Sequence, residues 1–245
     1  MEKSDINIHL DFTKDSVKNG IKGDPDIFNN TLRIYQKELY SREKLCLDFG
    51  NRMDYDYLIY KEKNIRFASD CIINMNEMYK EYKETHEKYL SICSNYYKKL
   101  YQKYLDTART IGGEIIFPKH RYSINQCRGV YRQIKDRFDL TLECIKRFYE
   151  HIQPNPLEKI LLMDKEFFDL FGTGAIGFEK YVKFFFLDDL VKDGKVDFFF
   201  GTYNDDIFNH SPFAWKQAEW EQLLEKQIVF LEKRNELIQN FCKPN

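Results

Sequence analysis

From Leu90 to the C-terminal end, apolar residues recur at steps of three and four, and that spacing restricts the chain more than any other feature. Leu90, Cys93, Tyr97, Leu100, Tyr104, Ala108 and Ile111 make one such stripe, and Leu224, Ile228, Leu231, Ile238 and Cys242 make another, with Trp220 at its head. A repeat near 3.6 puts these side chains on one face of a helix. Asn235 falls in the second stripe, so a polar group is expected near the core, where it needs a partner. Ser211-Pro212 is expected to start this last helix.

Strand signals are confined mainly to the first third. Ile6, Ile8, Leu10 and Phe12 alternate with polar residues and predict a short strand. Leu45, Leu47 and Phe49, then Tyr55, Tyr57 and Ile59, predict a hairpin around Gly50-Asn51. Between these pieces, Asp24 is suited to cap a helix whose first residue is Pro25, running past Ile27, Leu32, Tyr35 and Leu39 to Ser41. Arg66 with Ser69-Asp70 reads as a capped helix start, and Ile72, Met75, Tyr79 and Tyr82 as its stripe. Gly112-Gly113 ends the helix from Leu90, and Pro118 ends the short run Ile115-Ile116-Phe117. Ile124, Cys127, Tyr131, Ile134 and Phe138 predict another helix. Asp139 then caps one bearing Leu142, Ile145, Tyr149 and Ile152, stopped by Pro154 and Pro156. Short helical pieces follow over Leu157 to Leu162 and Phe167 to Phe171, then a flexible connector at Gly172, Gly174 and Gly177, a helix from Phe178 to Leu190 and a strand at Val196 to Phe200. The expectation is a mainly α fold: a single helical domain over 1–245, with a few short strands mostly in the N-terminal part.

Composition agrees with a packed interior. Of 245 residues, 43% are apolar and 16% aromatic, whereas disordered chains have few aromatics and lopsided charge. The formal net charge of −1 gives no whole-molecule attraction for nucleic acid, which leaves a local patch as the only route to such a partner. Met1-Glu-Lys-Ser-Asp has no apolar run behind it, and the longest apolar stretch, near Phe184 to Leu187, falls far short of the ~20 residues of a membrane span. A cytoplasmic protein with no membrane partner is expected. The six cysteines, Cys46, Cys71, Cys93, Cys127, Cys144 and Cys242, are too scattered for a zinc site and are read as reduced thiols. His9, His86, His120, His151 and His210 are likewise isolated. The acid pairs Asp24/Asp26, Asp188/Asp189 and Asp205/Asp206 suit caps and solvated loops, so no metal and no cofactor is expected. No phosphate-loop, dinucleotide or nucleophile-elbow motif occurs.

Chemistry concentrates in Thr110 to Arg147. Lys119, Arg121, Arg128, Arg132, Lys135, Arg137, Lys146 and Arg147 are opposed only by Glu114, Asp136, Asp139 and Glu143. If Ser123 to Lys135 is one helix, Asn125, Arg128, Arg132 and Lys135 share a face, with the flexible backbone of Gly112-Gly113 before it. Convergent arginines and an aimed helix terminus suit a phosphate or carboxylate. The candidate ligand-binding residues are Gly113, Arg121, Asn125, Gln126, Arg128, Arg137, Asp139 and Glu143. Arg121 and Arg128 would hold the anion, Asn125 and Gln126 would read polar edges, and Asp139 or Glu143 would orient the arginines or act as base. A phosphate-bearing small molecule or a nucleic-acid end is the ligand this suggests, with turnover left open and no catalytic residue assigned. Two other readings stand beside it. One is a non-catalytic interaction protein, such as a partner in a phage-defence or toxin–antitoxin system. The other is a purely structural network, in which Glu143 and Arg147 pair at i,i+4.

Several runs also resemble an uncharacterised bacterial family known only as a domain of unknown function. They are Asp24-Pro25-Asp26 with Tyr35, Arg66-Phe-Ala-Ser69-Asp70, Thr110-Ile-Gly-Gly113, Phe117-Pro118, Ile124-Asn-Gln-Cys-Arg-Gly129, Asp136-Arg-Phe-Asp-Leu-Thr-Leu-Glu-Cys-Ile-Lys-Arg147, Phe167-Phe-Asp-Leu-Phe171, and Tyr181-Val182 through Leu187-Asp-Asp-Leu-Val191. The resemblance extends from about Asp11 to Asn240. Cys127 departs from the usual Ala, Lys146 replaces an Arg, and Asn76 to Leu105 matches poorly. The resemblance implies a single-domain bacterial protein and assigns no activity.

Overall fold

The computed structural model describes residues 6–15, 29–43, 57–60, 63–72, 94–119, 123–128, 132–135, 137–199 and 217–243, with the strand segments 17–18, 21–22 and 46–48. The fold is mainly helical, with short antiparallel strands mostly in the N-terminal half. Its contacts separate into two units. The first is Met1–Cys71, Asp106–Ser123 and Leu231–Asn245; the second is Ile72–Leu105 and Ile124–Phe230.

In the first unit, α1 (Phe12–Asp15), a hairpin of β1 (Val17–Lys18) and β2 (Ile21–Lys22), and α2 (Asn30–Arg42) precede a four-stranded antiparallel sheet. The order is β3 (Cys46–Asp48), β4 (Tyr57–Tyr60), β5 (Lys63–Cys71), β6 (Glu114–Pro118). The β3–β4 hairpin is the one expected, in the register Leu47↔Leu58; its turn lies outside the described residues. The strand expected over Ile6 to Phe12 does not form. The Asn7 side chain accepts the His9 amide at 3.0 Å, a local bond that turns the chain, and Phe12 opens α1. The cap assigned to Asp24, itself outside the described residues, falls instead on Asn29, whose side chain accepts Leu32 N at 3.0 Å. Asp15 fastens the same turn by accepting the Thr31 amide at 2.6 Å and hydroxyl at 2.7 Å.

Residues Arg66 to Asp70, expected to open a helix, are the middle of β5. This strand has a partner on each side, Phe67 facing Pro118 and Ser69 facing Ile116. Phe67, Ala68 and Ser69 are all buried, and a strand covered on both faces loses the alternation by which it is recognised. The run Ile115-Ile116-Phe117 is its neighbour β6.

Helix α3 (Asn95–Ala108) ends in a tight 3-10 turn, Ile111–Gly113. The last helix, α8 (Gln217–Cys242), reaches this turn through two adjacent buried side chains. Asn235 accepts the Gly112 amide at 2.6 Å and donates to the Thr110 hydroxyl at 2.6 Å. Arg234 donates to the carbonyls of Gly112 and Glu114, both at 2.6 Å. The partner that Asn235 needed is thus the turn itself. The N-terminal start expected at Ser211-Pro212 lies outside the described residues.

The second unit is built on α4 (Phe138–Glu150), α5 (Glu158–Met163), α6 (Lys165–Phe168) and α7 (Gly174–Phe184). Aromatic rings fill its interior. Tyr181 lies 4.9 Å from Phe185 and 5.3 Å from Phe171, centroid to centroid, and the Tyr149 hydroxyl donates to Phe168 O at 2.7 Å. The glycine connector is not a loop throughout: Gly174 opens α7, and a Cβ on Gly177 would stand 2.7 Å from the Tyr149 ring. Val191–Lys192 (β7) and Lys195–Val196 (β8) form a hairpin turning on Asp193-Gly194, both at positive φ. A two-residue turn of this kind favours Asp-Gly. The strand expected at Val196 to Phe200 therefore ends at its first residue, as the second arm of this hairpin.

Asn235→Ala removes both bonds and leaves the Gly112 amide buried without its acceptor. It is expected to cost about 2–4 kcal/mol of unfolding free energy, measured by denaturant melts; a cost under about 0.5 kcal/mol would contradict the role given to this side chain.

Candidate functional site

The two glycines that suggested close approach to a ligand are used by the protein itself. A Cβ at Gly113 would stand 2.1 Å from the Ala108 carbonyl oxygen, and one at Gly112 would stand 2.6 Å from the Leu231 carbonyl oxygen. Both belong to the first unit. Their small size is required by the turn and by α8, and no ligand is needed to account for it.

The described residues of Ile124 to Lys135 do not form one helix; Gly129 to Tyr131 lie outside the described residues. The segment begins with a single 3-10 turn, Ile124–Gln126, and the chain then folds back: Ile134 N donates to Cys127 O at 3.3 Å and Arg128 bridges to Ile134 in parallel. The shared face expected for Asn125, Arg128, Arg132 and Lys135 therefore does not exist as a helix surface. Apolar residues at helical spacing still turn inward, with Ile124, Cys127 and Ile134 buried, but they do so from two short segments joined by the Ile134–Cys127 hydrogen bond. Gln126 and Arg132 are exposed, and Asn125 and Lys135 are half-buried. Arg128 is buried, donates to Ile72 O at 3.0 Å and has its guanidinium 5.9 Å from the centre of the Phe138 ring. Arg121 lies outside the described residues.

Arg137 and Asp139 sit at the root of α4, 1% and 0% exposed. Arg137, rather than Asp139, is the residue preceding the helix. Its Nε donates to Asp139 Oδ1 at 3.1 Å and its Nη2 to Oδ2 at 2.5 Å. Asp139 also accepts the backbone amides of Leu140 at 3.0 Å and Phe199 at 2.9 Å. Four donors on one carboxylate leave it little capacity to take a proton from a ligand. One turn further on, Glu143 accepts Arg147 Nε at 2.8 Å, and Arg147 Nη1 donates to Pro154 O at 2.5 Å. The i,i+4 pair is present as spaced in the sequence. They make two pairs along α4, Arg137–Asp139 tied to the main chain at Leu140 and Phe199, and Glu143–Arg147 tied to it at Pro154.

Asp164 escaped the sequence reading. It stands between α5 and α6 and is buried, and burial pushes its carboxyl up to about 7. Nothing in Leu161-Leu162-Met163-Asp164 distinguishes it, since the shift arises from packing. Burial also raises the Cys127 thiol; the Arg132 charge opposes that rise and Asp164 adds to it. Cys127 and Cys144 are free thiols. Among the described residues no three His, Cys, Asp or Glu gather as metal ligands, and no helix is long and apolar enough to cross a membrane.

The chain belongs to the family of unknown function DUF6994, whose model matches residues 6–238. No curated protein and no solved structure matches it.

Asp139→Asn is expected to cost about 3–5 kcal/mol, because Arg137 is left as an uncompensated buried charge. The double variant Arg137→Met with Asp139→Asn is expected to recover part of that loss, since it removes the stranded cation. A double-mutant cycle by denaturant unfolding measures this; strict additivity would contradict the pairing.

Proposed function

We propose that this chain binds a phosphate-bearing ligand, either a small molecule or a nucleic-acid end, at the basic segment whose described residues are 123–128 and 132–135. The observation carrying this reading is a local excess of cations. Ser123 to Lys135 contains Arg128, Arg132 and Lys135 and no acidic residue. Arg132 is exposed and makes no ion pair among the described residues, and the exposed amides of Gln126 and Gln133 lie on the same segment. A folded-back loop holds such groups at a lower entropic cost than a mobile tail, which favours selective binding. Arg128 contributes charge from inside, anchored on the Ile72 carbonyl. In this reading Arg137, Asp139 and Glu143 position the loop, Asn125 and Gln126 read the ligand's polar edges, and Gly113 serves packing. No reaction is assigned.

A second reading, a non-catalytic interaction protein such as a partner in a phage-defence or toxin–antitoxin pair, draws support from Leu162, Met163 and Ile176, exposed by 54%, 59% and 66%. Isolated exposed apolar residues are ordinary, so this reading is the weaker of the two. Binding of inorganic pyrophosphate separates them. By calorimetric titration, wild-type protein is expected to bind it, and Arg132→Ala to bind it about tenfold more weakly, as loss of one charge-assisted contact implies. Absence of binding, or equal binding by the variant, would overturn the loop reading.

A further inference from the structure

The outer face of α3 carries cations that the helix itself does not need. From Ser94 to Leu105 the chain has three lysines and no acidic residue. Tyr97 and Tyr104 turn into the interior. Asn95, Lys98 and Lys99 are exposed, and the two lysines make no ion pair among the described residues. Gln102 and Lys103 share this face and hold interactions of their own. Three lysines on other helices are matched by an acid four positions away: Lys146 with Glu150 at 2.5 Å, Lys165 with Asp169 at 2.5 Å, and Lys183 with Glu179 at 2.6 Å. Four positions from Lys98 stand Ser94 and Gln102, and four from Lys99 stand Asn95 and Lys103. The last is a like-charge pair, which weakens a helix. Both lysines also close the first turn, where the positive end of the helix dipole disfavours cations, and that turn holds no acid to offset them. Lys98 and Lys99 therefore cost this helix stability, and a partner outside it accounts for them.

We propose that this face of α3 docks on the phosphate backbone of a nucleic-acid duplex, independently of the segment 123–135. Lysine meets phosphate as a point charge, and Asn95 beside it adds an amide of the kind that contacts phosphate and sugar oxygens. A protein partner fits less well, since lysine is depleted from protein interfaces. A lipid surface takes a helix by its bulky apolar side chains, and this face offers none; Leu100 and Leu105 are half-buried. Single strands are held on stacking rings, whereas the exposed ring of Tyr96 is tied through its hydroxyl to Glu225 of α8 at 2.5 Å. Glu225 and Glu221 bear on α3 from the side of Tyr96, roughly 160° around the axis from Lys98. The contact is made to the backbone, so it is indifferent to sequence. With a net charge of −1, local cations hold the duplex and the molecule as a whole does not.

The probe is a fluorescent DNA dumbbell, a duplex closed at both ends, which offers the segment 123–135 no nucleic-acid end. By anisotropy, wild-type protein is expected to bind it, with the logarithm of affinity falling against the logarithm of salt at a slope of about −2, as two phosphate contacts imply. Lys98→Gln with Lys99→Gln is expected to weaken binding about tenfold at low salt and to flatten that slope by about 2. Arg132→Ala is expected to bind the dumbbell as wild type does. Lys98→Glu with Lys99→Glu is expected to abolish binding and to melt no lower than wild type, because acids suit this end of a helix. No binding by wild type, or equal binding by the glutamine variant, would overturn the proposal. Binding to vesicles rich in phosphatidylserine in place of the dumbbell, lost in the same variant, would assign the face to a lipid surface and overturn it as well. A glutamate variant that melts below wild type would show that the lysines serve the fold, with the same consequence.

Discussion

The Asp139 carboxylate ties together three pieces of the second unit. It takes the guanidinium that precedes α4, an amide inside the first turn of α4, and the amide of Phe199, sixty positions along the chain. A buried charge is tolerated only when its lone pairs are occupied, and here both oxygens have two donors each. An acidic residue in the first turn also favours the positive end of the helix dipole. Once Asp139 is used in this way, Arg137 is used as well, and the basic character of the segment is left to the residues before it.

The first unit solves a similar problem with neutral and charged groups side by side. A tight turn at Ile111–Gly113 exposes main-chain donors and acceptors to an apolar interior, where unmade bonds are costly. Arg234 and Asn235 of α8 reach in and make them. The close approach leaves room only for glycine at 112 and 113. Tyr35 lies in the same region, fully buried, and burial pushes its hydroxyl up to about 12, with the Arg234 charge opposing. A sequence feature that resembled a ligand cradle is thereby explained by a helix seated against it.

What could be read in advance follows from how each element is stabilised. Helices α4 and α8 carry one continuous apolar stripe, and their periodicity declares them. Asn235 was legible because a polar residue inside such a stripe demands a partner, and Glu143 with Arg147 because their spacing is local. Strand β5 was not, because burial on both faces removes its alternation. The segment from Ile124 resembles a helix in sequence because the inward-facing Ile124, Cys127 and Ile134, which lie in separate short pieces, fall at helical spacing. Asp164 could not be found at all: its shifted ionisation comes from burial, which its own stretch of sequence does not announce.

The charged stretch before and within α4 therefore divides in two. Arg137, Asp139, Glu143 and Arg147 form two pairs whose charges are met from within, and Ser123 to Lys135 holds cations with no acid in their own segment. Hydrogen–deuterium exchange with and without pyrophosphate tests this division most directly. The account predicts slower exchange in peptides covering 123–135 and no change across 139–147. Protection centred on 139–147, or on neither segment, would contradict it.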